Sequence, residues 1–544
     1  MKTRYILGIA TLVAVMVSCE KEQRTTPVLQ PMTFRVNAEQ SVDPSASKAA
    51  LDENRNVTFS AGERISVFDG VANNPFTADA SGRAVDFSGN AASAEVYNIL
   101  SPYDDNATIS GNVITATVPK VQTAVLGGAD PRALLAVART SSTGEIHLKN
   151  VVGLLKVTVP NNNQVKEIQV AAGAGRNVAI AGTIDITTPA SAADVPMYTL
   201  NAAAEKVTCV SLVPASGEYL AAGTYYIGVL NKKYEGGLTV AYLTNEGSED
   251  LLRAKTGTAD ALVERSKVLN LGSLVAGAGQ YVKYQGNAIF PAGPDVLLIW
   301  KKLANPSVAA FHSDDNTITR IEIKTNTLDG GAGVNSHTGS SPHPIFAILR
   351  EGVLTLYTRA SKAQLAGGAG ATNMFRSLKK LETIDFSNVL IGNCTTLQRM
   401  FRECGIQEVD LSSLDTKNVT NMSEMFFNCS NLKKVNLTGW KTTSVTSTAN
   451  ENGFAWMFLN ATNLEELRLG DDFSITTGGN TTRMFESTSQ AVSGRGEKCK
   501  LYCAESFWNG LVAVCDPGDS MDPTTKFNKA RFDISGNSWY VPEP

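Results

Sequence analysis

Along the first half of the chain, apolar residues recur at every second position. Val57/Phe59, Ile65/Val67, Leu155/Val157/Val159, Tyr225/Ile227/Val229 and Leu238/Val240/Tyr242 lie in short runs broken by Gly, Asn and Asp. That alternation predicts short strands with one packed and one solvated face, and few helix-length patterns intervene. Over residues 32–275 it predicts two tandem β-sandwich domains. A composition break at Pro160-Asn161-Asn162-Asn163 separates them into 32–160 and 161–275.

After a linker at 276–287 the pattern changes. Met-Phe pairs stand at Met374-Phe375, Met400-Phe401, Met425-Phe426, Met457-Phe458 and Met484-Phe485, spaced by 26, 25, 32 and 27 residues. Four of them are followed by an L-x-x-L-x-L run: Leu381/Ile384/Phe386, Ile406/Val409/Leu411, Leu432/Val435/Leu437 and Leu464/Leu467/Leu469. Ile318/Ile321/Ile323 fits the same template. The period predicts a leucine-rich-repeat solenoid over 288–515, clearest at 374–490, in which one strand and one return segment per repeat bury their apolar sides only by stacking. The Met-Phe pair belongs on the return segment, pointing inward. The long interval predicts a bulging loop at 444–453. The fifth repeat lacks its strand run, so 498–515 reads as a shortened cap and 516–544 as a terminal cap or tail. The fold class is mainly β.

The first residues set an address. Lys2 and Arg4 precede an apolar run from Ile6 to Val17, followed by Ser18-Cys19. Twelve residues span only about 18 Å as a helix, too short for a bilayer, which predicts a signal peptide over 1–18. Ser18-Cys19 resembles a bacterial lipobox, implying cleavage after Ser18 and lipidation of Cys19, with a polar tether over 19–31. Acyl chains would then hold the protein on the outer membrane, exposed at the cell surface, without spanning it.

Composition narrows the function classes. The 544 residues include 52 acidic and 48 basic side chains, a net charge of −4, which argues against nucleic acid as a partner. No G-x-S-x-G elbow or H-E-x-x-H occurs, and His337 and His343 around Ser340-Ser341-Pro342 read as a surface loop. No enzyme, metal or cofactor is expected. Cys394, Cys404 and Cys429 occupy apolar repeat slots and read as buried thiols. Cys499, Cys503 and Cys515 lack a fourth zinc ligand, so one disulfide among them is the expectation.

Two resemblances sharpen the picture. The stretches Ala50-Leu51-Asp52…Val57-Thr58-Phe59…Gly62-Glu63-Arg64-Ile65-Ser66-Val67-Phe68, Pro102-Tyr103 and Asn150-Val151-Val152-Gly153-Leu154-Leu155-Lys156-Val157 resemble the fimbrillin superfamily. That likeness implies two-domain lipoproteins and docking by strand exchange after Arg-directed cleavage, for which Arg35 and Arg55 are candidates. Thr416 to Phe426, with Leu411-Ser412 before it and Cys429-Ser430-Asn431-Leu432 after it, resembles BspA-type leucine-rich repeats of bacterial surface proteins. Those repeats are associated with adhesion to host proteins and other bacteria. The implied function is a surface-anchored adhesin or partner-binding lipoprotein with the β-domains as stalk. The alternative is an accessory tip or anchor subunit of a fimbria. Partners on this account are the membrane through the lipid, a protein or glycan on a host or another bacterium, and fimbrial subunits.

The outward positions of the repeat strands are the candidate partner-binding strip. They comprise Glu382, Asp385, Glu408, Asp410, Lys434, Asn436, Glu466 and Arg468. Glu408, Lys434 and Glu466 would form an alternating charge ladder at the ~4.8 Å strand spacing.

Overall fold

A computed structural model describes residues 28–39, 50–51, 57–140, 145–161, 164–173, 177–191, 193–246, 249–274, 281–284, 286–330, 333–447, 452–475, 480–513 and 524–539. The signal peptide, Cys19, Arg55 and Cys515 lie outside them, as do residues 448–451 of the predicted loop at 444–453. The protein is mainly β.

The first unit is one eight-stranded sheet. Its order is Ile146–His147, Gln30–Asn37, Ala84–Ala91, Asn73–Ala78, Arg64–Phe68, Tyr97–Ser101, Ala136–Thr140 and Lys149–Asn150. The two edge strands are neighbours in sequence, separated only by Leu148, so the sheet bends until its edges meet there. Period-two alternation buries Phe34, Ile65, Val67, Phe76, Phe87 and Ile99 inside the curl. Phe34 packs on Phe76 and Tyr97, each at 5.4 Å between ring centroids.

The expected division at residue 160 falls inside the second unit. Val113–Val118 pairs antiparallel with Gly182–Thr187, and Val121–Thr123 pairs parallel with Cys209–Val213. Val152–Val159 pairs with Gly223–Leu230 and Val268–Ser273, while Val165–Ala172 pairs with Cys209–Val213 and Leu238–Glu246. One core, with Ile114, Leu155, Ile168, Ile184, Leu212 and Ile227, therefore joins residues on both sides of Pro160. The polar run after Pro160 is a turn between strands of two sheets in one unit; turn chemistry and linker chemistry look alike in sequence. Val282–Lys283, expected in the linker, adds a strand beside Glu249–Thr256.

In the C-terminal region the strands of successive repeats pair side by side. Glu408–Asp410, Lys434–Leu437, Glu466–Leu469, Cys499–Tyr502 and Phe532–Asp533 form a parallel five-stranded sheet in which Val409, Val435, Leu467 and Leu501 occupy one register. Every apolar residue of the four strand runs is buried. The stack continues past the fifth Met-Phe pair: Cys499–Tyr502 is a strand where a shortened cap was expected, since Leu501 keeps the central slot of the template while Lys498 and Cys503 stand in the other two. At the other end the order is not simple. Arg320–Lys324 lies between Val353–Thr358 and Thr383–Ile384, parallel to both, and a hairpin, Ile345–Arg350 with Val353–Thr358, closes that side.

All five Met-Phe pairs are buried, and the phenylalanines form a column. Phe375, Phe401, Phe426, Phe458 and Phe485 stack at 5.1, 5.5, 5.4 and 5.8 Å between centroids, with interplanar angles of 18°, 5°, 10° and 7°. Trp300 of the helix Gly293–Ala304 covers the first ring, and Phe527 and Phe532 cover the last. The return segments share a backbone signature. Asn373, Arg399, Glu424, Trp456 and Arg483 precede the Met, and Ser377, Glu403, Asn428, Asn460 and Ser487 follow it by three; all ten have φ between 52° and 61°. Such left-handed residues cost roughly 1–2 kcal/mol each when not Gly. The compensation is visible in the first four repeats. There the residue before Met, the Phe and the residue three after Met each donate an N–H to the next repeat, as in Arg399 to Ser423 (3.0 Å), Phe401 to Met425 (2.9 Å) and Glu403 to Phe427 (2.8 Å). The 32-residue interval leaves this pattern intact: Glu424, Phe426 and Asn428 donate to Ala455, Met457 and Leu459.

Two further contacts hold the N-terminal side of the stack. The Lys301 ammonium of the helix is buried and donates to the carbonyls of Phe311, Ser313 and Arg376 at 2.7, 2.7 and 2.8 Å. Burial pulls this amine down to about 8, against the opposing pull of Asp315 and Asp314. The region also docks on the second β-unit. The buried Gln169 amide donates to the Asn326 carbonyl (2.9 Å) and accepts from Leu328 N–H (2.7 Å), Leu328 joins a small core with Ala171, Cys209 and Leu252, and Asp329 pairs with Lys120.

Phe426 lies mid-column, so Phe426→Ala should cost about 3–5 kcal/mol, with loss of protection spreading to the strands at Val409 and Val435 before it reaches the β-units. Thermal melts with residue-resolved hydrogen exchange check this. A loss below about 1 kcal/mol would mean the column contributes little.

Candidate interaction surface

The structure brings six of the eight predicted strip residues onto one sheet face. The Glu408 carboxylate meets the Lys434 ammonium at 2.8 Å, and Asn436 donates to Asp410 at 3.0 Å. Glu466 pairs with Arg468 at 2.5 Å, and the Arg468 guanidinium lies 4.2 Å from the Tyr502 ring centroid. Glu382 and Asp385 flank Thr383–Ile384, which belongs to the neighbouring sheet. There the Asp385 carboxylate accepts from Ser387 N–H at 2.8 Å and shapes a turn.

The strip is longer than the leucine pattern suggested. Lys500 is the register partner of both Glu466 and Asp533, so the column reads Glu408, Lys434, Glu466, Lys500, Asp533, strictly alternating in sign. Lys500 and Asp533 lie on strands that keep at most one leucine of the template, Leu501, so the leucine pattern does not reveal them. The Glu408 hydrogen bond and charge raise the Lys434 pKa. Asp410 is held below the usual carboxylate range: burial opposes this, and the bonds from Ser412 and Asn436 outweigh it. These exposed charges satisfy one another, so the strip fixes register more than it presents an anchor.

The opposite face, made by the return segments, carries a denser network. Glu424 is buried and held by Arg399, at 2.6 Å, and by Arg402. Arg402 also bonds Glu403 at 3.0 Å and lies 4.3 Å from the Phe427 ring centroid. Arg376 reaches Glu403 only at 3.7 Å, and its Nε has no hydrogen-bond partner. For Glu403 burial raises the pKa, but Arg402 and Arg376 win and hold it low. Half-buried Trp456 follows Glu424 in the same column. Sequence analysis placed Glu424 inside the repeat motif without a role. The available signal was that the residue before each Met is never apolar except at Trp456.

No other described cluster suggests chemistry. Among the described residues no group of three or more His, Cys, Asp or Glu is placed to hold a metal. The Ser341 hydroxyl donates to the His343 carbonyl at 2.6 Å, and His337 Nδ1 accepts from Ile345 N–H at 3.3 Å, so this loop uses its polar groups structurally. Cys394, Cys404 and Cys429 are free and buried, as their repeat slots require. Burial pushes the Cys394 thiol up to about 11 and Cys404 up to about 12. Cys499 and Cys503 are also free, which removes the expected disulfide among Cys499, Cys503 and Cys515. Four residues of extended chain separate Cys499 and Cys503 by about 13 Å, far beyond bridging distance.

A family model described as "Mycoplasma protein of unknown function, DUF285" matches residues 370–494, the segment holding all five Met-Phe pairs. No curated protein matches the chain. Among solved structures, a candidate cell adhesion protein from Bacteroides ovatus aligns at 11% identity and a TM-score of 0.28, over 47% of this chain and 96% of its own. A fimbrial protein from Bacteroides ovatus aligns at 11% identity and 0.18, over 44% and 48%. The C-terminally truncated tip fimbrial protein Mfa3 from Porphyromonas gingivalis aligns at 9% identity and 0.15, over 43% and 81%. Scores this low assign neither fold nor function.

Glu408→Ala removes one exposed pair, so it should change stability by no more than about 0.5 kcal/mol. Denaturant titration of that variant checks this. A loss above about 2 kcal/mol would show the ladder to be cooperative, not a row of weak pairs.

Proposed function

We propose that this protein is a non-enzymatic bacterial surface lipoprotein that binds a macromolecular partner through its C-terminal stack. On this account the stack is a leucine-rich-repeat solenoid of BspA type. The two sheet-built units are fimbrillin-like sandwich domains serving as stalk, and lipidated Cys19 anchors the chain to the outer membrane. The observation that carries the proposal is the repeat itself: five stacked rings and four sets of inter-repeat hydrogen bonds make a rigid, extended surface with two polar faces. Stacked repeats of this kind suit recognition of large partners. The lipobox-like Ser18-Cys19 supports the anchor.

One observation favours the fimbrial alternative. Gln30–Asn37, which contains Arg35, lies between Ala84–Ala91 and Ile146–His147 and pairs with both. Losing that strand would expose two sheet edges for a subunit's strand to fill.

Cys19→Ala should release the full chain from the membrane fraction, and protease added to intact cells should remove the C-terminal region of the unaltered protein. Membrane retention of the variant, or protection until lysis, contradicts the surface-lipoprotein account. Mass spectrometry of the purified assembly separates the two roles: stoichiometric fimbrial subunits would favour the accessory subunit.

A further inference from the structure

The two faces of the stack differ in what they leave unsatisfied. On the strand face every charge of the central column has an opposite neighbour, and Glu408 and Lys434 are 56% and 50% exposed, hence well solvated. On the return face the side chains of Arg376, Arg399 and Arg402 are 20–29% exposed and two carboxylates, Glu403 and Glu424, answer three guanidiniums. The excess falls on Arg376, whose nearest carboxylate oxygen is 3.7 Å away and whose Nη1 reaches only the Asn373 Oδ1, at 3.5 Å, while its Nε is buried and closed to a ligand. Burial depresses the Arg376 pKa; the Glu403 charge opposes this, and the charges of Arg402 and Arg399 add to the depression. Phe427, beneath Arg402, and Trp456, one repeat beyond Glu424, add apolar surface. Arg and Trp are the residues that dominate binding energy at protein interfaces, above all where their conformation is fixed beforehand. Here Trp456 donates its own N–H to the next repeat, and Arg376 lies between Phe375 and Ser377, which both do so.

We propose, resting on the partner-binding account above, that the return face is the docking surface and that its partner is an acidic protein segment. A carboxylate of that segment lies against Arg376, and an apolar side chain lies against Trp456 and Phe427. Arg376 and Trp456 stand three repeats apart, about 15 Å at the stacking distance of adjacent chains. A ligand must therefore offer charge at one end and apolar surface at the other. A polypeptide does so and a uniformly charged glycan does not. An incoming carboxylate also relieves the mutual repulsion of the three guanidiniums without displacing Glu424.

The test uses the full chain passed over immobilised poly(Glu,Tyr) copolymer, with polysialic acid as the uniformly charged comparison, at low and raised salt. The unaltered protein should be retained on the copolymer. Arg376→Gln and Trp456→Ala should each weaken retention by about tenfold with unchanged melting, while Lys434→Gln should leave it as it was. Retention of Arg376→Gln at the level of the unaltered protein, retention on polysialic acid alone, or no retention overturns the inference. Loss confined to Lys434→Gln overturns it while leaving the partner-binding account standing, with the strand face as the site.

Discussion

The structure of the C-terminal region depends on neighbouring repeats holding one another through the Met-Phe segment. An isolated return segment is unfavourable twice over. It exposes a large ring, and it places two non-glycine residues in left-handed backbone. Stacking removes both penalties together, because the ring meets its equivalent next door and the strained N–H groups find carbonyls in the next repeat. This explains why the interval can stretch from 25 to 32 residues with no loss of phase, since extra residues are accommodated between the strand and the return segment. It also explains the ends. A stack has two exposed faces, and Trp300 with its helix covers one while Phe527 and Phe532 cover the other.

What could be read from the sequence follows from the same physics. Residues that repeat in identical surroundings announce themselves, so the Met-Phe pairs, the buried strand positions and the thiol slots at Cys394, Cys404 and Cys429 were all legible. Features carried by a single copy were not. The strand Cys499–Tyr502 was hidden because only Leu501 keeps its template slot while Lys498 and Cys503 stand in the other two, and Lys500 and Asp533 were hidden with it. The helix Gly293–Ala304 occurs once and has no period to reveal it. The Pro160 turn was misread because only the partner strands, remote in sequence, distinguish a turn within one core from a linker between two. Left-handed backbone at Arg399, Glu424 and Trp456 is invisible to propensity, since none of these residues favours it.

The β-units and the stack are joined by more than the chain that connects them. Gln169 clasps the backbone on both sides of Thr327, and the Asp329–Lys120 and Arg350–Glu205 pairs, the latter at 2.7 Å, flank it. A surface built this way is held at a set orientation to the β-units, and on the proposed partner-binding account that would reduce the entropy lost on association.

The most direct measurement is amide hydrogen exchange at Phe401, Phe426 and Phe458 in the native protein. These three N–H groups donate across repeats from segments that are neither helix nor strand. If inter-repeat bonding holds the region together, they exchange as slowly as Val435 in an interior strand of the sheet, by opening of the whole stack. Exchange as fast as in a surface turn, with Val435 still protected, would show that the strands alone carry the region and that the Met-Phe column only fills space.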